Sequence, residues 1–193
     1  MSQWGMVDIG YTHYSPATSF TYEAGQSPER SFFINTAYLP FAEVSFKVTK
    51  PYVTPVDSIY GIGDRSVSLR FQVLKETKNR PAIVIGTQDP FTVRAFFNTN
   101  YIVFTKKYAL KKMTFVANLG YGFALQKTEG DYLQGIFAGI QTHWKNWQFS
   151  AEYDTHTINT GLSYTFKDWL FLKAALINQQ YFSGSIHFRF SIE

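Results

Sequence analysis

The chain has 193 residues, enough for one domain, and 45% of them are apolar, but the 19% aromatic share, mostly Phe and Tyr, is high and needs a surface to serve. With no cysteine, a disulfide framework, a thiolate metal site and a cysteine nucleophile are all excluded. The 18 basic and 14 acidic residues are dispersed, so the +4 net charge does not describe a nucleic-acid footprint, and no apolar run approaches the roughly 18 to 20 residues of a spanning helix.

Met1 to Gly10 lack a basic start followed by an apolar core, so the sequence is expected to be a mature chain whose export signal has been removed. Residues 1–16 are expected to be an N-terminal segment, periplasmic or luminal, ahead of a single domain that spans 1–193. From there the pattern is almost purely of period two. Faint strands are expected at Ala17 to Gly25 and Phe32 to Leu39. Ala42 to Thr49 is clearer, with Ala42, Val44, Phe46 and Val48 opposing Glu43, Ser45, Lys47 and Thr49. Ser66 to Leu74 repeats the pattern, setting Val67, Leu69, Phe71 and Val73 against Ser66, Ser68, Arg70 and Gln72. Fainter strands follow at Pro81 to Gln88 and Tyr101 to Tyr108, then stronger alternation at Met113 to Phe123 and a further segment at Leu133 to Trp144. The last four, Trp147 to Asp154, Ile158 to Phe166, Trp169 to Asn178 and Phe182 to Ile192, bring the total to about twelve.

The connections sort into two classes. Tight ones fall at Pro40-Phe41, Lys75 to Arg80, Ala109 to Lys112, Lys145-Asn146 and Lys167-Asp168, and the longer Lys50 to Asp64, Asp89 to Asn100 and Ala124 to Tyr132 fall between them. Strand parity then puts the tight turns and both termini at one end, the periplasmic end of an outer-membrane barrel. An even strand number lets the first and last strands pair antiparallel and removes the sheet edges. The expected fold is therefore all-β, a transmembrane up-and-down antiparallel barrel of about twelve strands with periplasmic termini.

Alternation alone does not say which face meets which solvent; residue types do. The polar face is dominated by Ser, Thr, Asn, Gln and Gly with few charges, which suits a crowded, mutually bonded lumen better than a water-soluble exterior. The apolar face carries aromatics at strand ends, and Tyr101, Tyr121, Trp144, Trp147, Phe166 and Trp169 are expected to form interfacial girdles. Inside, Glu23, Glu43, Lys47, Arg70, Glu152, Lys173, His187 and Arg189 would share a narrow space where unpaired charge is costly. Glu43 or Lys47 is expected to meet Arg70 from the adjacent strand, and Arg189 to meet Glu23 where the last strand closes on the first.

No catalytic constellation is assembled by the sequence. His13, His143, His156 and His187 are scattered without metal-ligand spacing, and Asp154-Thr155-His156-Thr157 reads as a hairpin turn. No G-x-S-x-G elbow occurs, and Tyr60 to Asp64 lacks the helix that a phosphate loop requires. A barrel lipase would need Ser and His on the outer surface; His143 is a candidate there, without an assignable serine. Neither a cofactor nor a metal is expected.

Several segments resemble the YjbH family of outer-membrane proteins, associated with exopolysaccharide production and export. The similarity lies in Gly61 to Glu76 (GIGDRSVSLRFQVLKE), Arg80 to Asp89 (RPAIVIGTQD), Asn100 to Tyr108 (NYIVFTKKY), Asn118 to Gly122 (NLGYG) and Gly5 to Ile9 (GMVDI). Family members are typically longer tandem barrels, so the resemblance implies a single-barrel relative, and it supplies no catalytic residues. It implies a role in the envelope, in polysaccharide export or modification; together with the narrow, charged interior the expectation is a non-enzymatic barrel in exopolysaccharide export or envelope assembly, its lumen largely filled by the polar network. Its partners would be outer-membrane lipid and polysaccharide or other envelope subunits, not nucleic acid. Two alternatives follow: a pore for acidic saccharides using Lys47, Arg70, Lys173 and Arg189 as a cationic track, and a scaffold subunit of a larger complex.

Overall fold

A sheet whose strands have one polar and one apolar side separates two solvents without leaving an unpaired edge when it curls until it meets itself. The computed structural model, which describes residues 4–15, 28–51, 64–90, 98–125 and 133–192, is such a sheet. Its strands are β1 (Met6–Tyr14), β2 (Glu29–Leu39), β3 (Ala42–Pro51), β4 (Asp64–Leu74), β5 (Ala82–Gln88) and β6 (Thr99–Leu110), followed by β7 (Met113–Phe123), β8 (Gly135–Trp144), β9 (Trp147–Tyr153), β10 (Ile158–Phe166), β11 (Leu170–Ile177) and β12 (Tyr181–Ser191). Each pairs antiparallel with its neighbours in sequence, and β1 pairs with β12 to close a twelve-stranded barrel.

The seam corrects one expectation. Met6–Tyr14, assigned by sequence to an N-terminal segment, is a full wall strand bonded to β2 on one side and β12 on the other. Val7, Ile9 and Tyr11 alternate there with Asp8, Gly10 and Thr12, so the segment carries the same two-sided pattern as the rest of the wall. The strand expected at Ala17 to Gly25 lies outside the described residues.

Tight connections between β2 and β3, β6 and β7, β8 and β9, and β10 and β11 share one end with the start of β1 and the end of β12. In the last three of these the twist demands positive φ, adopted by Lys111, Lys145, Lys167 and Asp168 at 50 to 62°. The β4–β5 connection at this end serves a second purpose. β5 has 7 residues and β6 has 12, so the lower half of β6 would show an unpaired edge. Glu76 reaches across and accepts the Lys107 N–H at 2.9 Å, while Lys106 Nζ lies 3.3 Å from the same carboxylate and donates to the carbonyls of Thr77 and Lys78. The Lys107 amide and the Lys106 ammonium hold the Glu76 carboxyl below its ordinary value, outweighing the opposing effect of burial.

The interior of the barrel is polar. Among the described residues the buried apolar side chains are Ala37, Ala82 and Val116, whereas Asp8, Glu29, Ser31, Glu43, Thr49, Ser66, Thr99, Asn159 and Ser183 are all buried. On the other face Phe46, Phe71 and Phe149 are 42, 41 and 50% exposed, in a continuous company of Ile, Leu, Val and Phe from every strand. Phe188, also outward, stacks on Trp169 with ring centroids 6.0 Å apart. An apolar belt of this extent is far larger than a water-soluble monomer exposes, and hydrocarbon is the solvent that fits it.

Candidate functional site: the barrel interior

The pleat directs every second residue inward, and on the β12–β1–β2–β3–β4 wall these residues meet as rungs between directly opposed partners. Arg189 of β12 faces Asp8 of β1, donating from Nε at 2.6 Å and from its terminal nitrogen at 3.1 Å to the two carboxylate oxygens. This forked geometry is the strongest that the pair can adopt. The Arg189 guanidinium also lies 4.4 Å from the Phe171 ring centroid. Ser31 and Thr49 share a 2.6 Å hydrogen bond, Ser45 bonds to Asn35, and Arg70 lies 3.1 Å from the buried carboxylate of Glu43. Thr105 and Asn118 form a similar rung at 2.7 Å between β6 and β7.

Glu43 and Arg70 therefore meet as neighbours, but Arg189 does not meet Glu23. Asp8 occupies the opposing position because β1 is Met6–Tyr14, and Glu23 lies outside the described residues. Lys47 points inward between Phe33 of β2 and Ser66 of β4. His187 bonds through Nε2 to Ser185 Oγ at 2.9 Å and meets the Phe33 ring edge-on, centroids 4.8 Å apart.

Large inward aromatics are accommodated by a device the sequence reading missed. Phe33, Tyr101 and Phe137 each stand directly opposite a glycine, Gly10, Gly86 and Gly120 respectively. A Cβ built on any of the three glycines would overlap the facing ring. The rings thus lie flat across the neighbouring strand, and Tyr101 and Phe137 meet edge to face at 6.4 Å. This corrects the placement of Tyr101 in an outer girdle: Ile102 and Phe104 take the outward positions of β6, and parity turns Tyr101 into the lumen. The useful signal is a glycine in the inward phase of one strand directly opposite an inward aromatic of the next. The other proposed girdle members are exposed on the outside, Trp144, Trp147, Phe166 and Trp169 towards the tight-turn end and Tyr121 towards the opposite end.

The β8–β11 wall is different. Gln141, Gln148, Ser150, Glu152, Ser163 and Lys173 all point inward, yet their side chains make no hydrogen bond or ion pair with another described residue. Glu152 and Lys173 are exposed and the other four half-buried, so this side of the interior faces water. Among the described residues, the charges expected to pair throughout the lumen do so on the β12–β4 wall and not on this one. His143 is also inward, opposite Thr114 and Gln148, so it is not available on the outer surface where a barrel lipase would need it. At the far end of the same wall Asp154 organises the β9–β10 turn: its carboxylate accepts the Thr157 N–H at 2.8 Å, the His156 N–H at 3.1 Å and Asn159 Nδ2 at 2.8 Å. Burial pushes its pKa up, but these bonds together outweigh it and hold the carboxyl below its usual value.

A closed antiparallel barrel with an apolar belt outside and bonded polar rungs inside is a transmembrane β-barrel of the outer-membrane class. The chain belongs to the family described as exopolysaccharide biosynthesis protein YbjH, whose model, YjbH, matches residues 1–193. No curated protein matches it in sequence. Among solved structures it is similar to outer membrane phospholipase A from Escherichia coli, at 10% identity over 94% of this chain and 89% of that one, with a TM-score of 0.45. It is also similar to an outer membrane channel from Pseudomonas putida F1, at 8% identity, 98% and 96% coverage and a TM-score of 0.46. A bacterial polysaccharide outer membrane secretin shows 10% identity, 98% and 99% coverage and a TM-score of 0.42.

Proposed function

We propose that this barrel serves exopolysaccharide export or envelope assembly without catalysing a reaction, as a rigid wall element whose interior is braced on one side. The observation that carries this is the set of directly opposed rungs, Asp8 with Arg189 and Glu43 with Arg70, which brace one wall of the lumen and engage the charges on that wall with one another. Membership of an exopolysaccharide family supplies the biological setting. The same rungs count against a cationic pore for acidic saccharides, because two of its four cations, Arg70 and Arg189, already lie against carboxylates. A scaffold role would use the outer wall or the end loops, and no geometric feature favours it over export.

The test is deletion of the gene in the source bacterium and complementation with the wild-type chain. Cell-surface exopolysaccharide should fall and be restored, while the purified barrel should leave the chain length of that polysaccharide unchanged. Undiminished exopolysaccharide in the deletion strain would overturn the assignment, and shortening by the purified barrel would overturn its non-enzymatic part.

A further inference from the structure

The inward glycines that face neighbouring strands mid-wall are of two kinds. Gly10, Gly86 and Gly120 are roofed by aromatic rings, but Gly139 and Gly161 are not. A Cβ on Gly139 would meet only the Glu152 Cβ and the adjoining backbone, at 3.5 Å or more. Gly161 is flanked by Ser150 Oγ and Lys173 Cε, 2.6 and 3.7 Å from where its Cβ would stand. These two glycines form a low floor in the wall where six polar side chains lack partners among the described residues.

The register arranges those side chains in rows across the wall. Gln148, Ser163 and Lys173 form the first row, Gln141 and Ser150 with Gly161 the second, and Glu152 with Gly139 the third. Successive rows are two residues apart, so the strip runs about 13 Å along the strands. Its one carboxylate and one ammonium cancel, and the amides and hydroxyls between them can each donate and accept. A polyanion would gain one cation and meet one anion; a chain of hydroxyl groups would find complementary partners in every row.

We infer that the inner faces of β8 to β11 form a hydrated, electrically balanced track for an uncharged saccharide chain, an inference resting on the proposed polysaccharide role. The paired β12–β4 wall and the aromatic-roofed β5–β7 wall confine that chain to one side of the lumen.

The absence of native cysteine allows a direct test with single-cysteine variants of the folded barrel in detergent, Ser150→Cys and Ser163→Cys on the track and Ser31→Cys on the paired wall. Water-soluble methanethiosulfonate reagents should modify the two track variants, cationic and anionic forms at rates within about threefold of each other, and leave Ser31→Cys unmodified. Maltohexaose, an uncharged probe, should slow the track reactions, and oligogalacturonate should not. Track cysteines that do not react, or that react without protection by maltohexaose, overturn the proposal, as does protection by oligogalacturonate alone. Should the track fail while the barrel still restores exopolysaccharide in the deletion strain, only the track falls; a saccharide-protected barrel that restores nothing overturns the cellular role instead.

Discussion

Replacing Asp8 with Asn tests the seam where the barrel closes. Asp8 and Arg189 are 181 positions apart in sequence, and their fork joins the first strand to the last. The Asp8 side chain is 10% exposed and that of Arg189 30%, so the variant leaves a mostly desolvated guanidinium facing a neutral amide. Breaking a buried pair by removing one partner costs about 3 to 5 kcal/mol; the partial exposure of Arg189 to lumen water reduces this to about 2 to 3 kcal/mol. Stacking of Arg189 on Phe171 survives the change, which sets the lower bound. Urea unfolding in detergent micelles, followed by far-ultraviolet circular dichroism and by the heat-dependent gel shift of closed barrels, reads the difference. Glu43→Gln is the comparison: Arg70 is 45% exposed, and its loss is expected to cost about 1 kcal/mol. A double-mutant cycle with Arg189→Gln should return a coupling of at least about 1 kcal/mol. A cost below about 0.5 kcal/mol for Asp8→Asn, with no coupling to Arg189, would refute the assignment of the fork as the closing contact.

Gly120→Val forces the Phe137 ring off β7 and should destabilise by about 1 to 3 kcal/mol, with partial recovery in Gly120→Val/Phe137→Ala, measured by the same unfolding transition. Lys111→Gly relieves a left-handed lysine in the β6–β7 turn and should stabilise by about 0.5 to 1 kcal/mol, seen as a higher melting temperature. The Asp154 carboxyl is depressed in the folded barrel, so its contribution is complete above the ordinary aspartate value of 3.8 and is lost as pH falls through the lower folded value. Nuclear magnetic resonance titration should therefore show the Thr157 amide following the Asp154 carboxyl in a transition below pH 3.8, and Asp154→Asn should abolish that transition.

Strand alternation made the wall legible because each segment from Ala42 onward has to suit two solvents, and that requirement is written in single residues such as Phe46 against Lys47 or Phe149 against Ser150. The tight turns were legible for a related reason: two-residue connections such as Lys145-Asn146 leave little freedom in register. What escaped depended on pairing across strands. Phe20, Tyr22 and Ala24 alternate as plausibly as Val7, Ile9 and Tyr11, and only closure against β12 shows Met6–Tyr14 to be the first strand. Once that strand was displaced, Asp8 replaced Glu23 as the expected partner of Arg189. Tyr101 illustrates the same limit from the other side. An aromatic at a strand end suits a girdle or a glycine-floored lumen equally well, and the decision rests on Gly86, on the facing strand fifteen residues earlier. The division of the lumen into a paired wall and a hydrated wall was likewise hidden, because Glu152 and Lys173 look no different in sequence from Glu43 and Arg70.

The central claim is that the apolar face of each strand lies in hydrocarbon and the polar face is sealed within. Spin labels placed one at a time on single-cysteine variants from Trp147 to Tyr153, in lipid vesicles, measure it residue by residue. Collision rates with oxygen should be high at 149 and 151 and low at 148, 150 and 152, with a water-soluble nickel complex giving the opposite alternation. The reverse phase, with the label at Phe149 shielded from lipid and that at Ser150 immersed in it, would contradict the account.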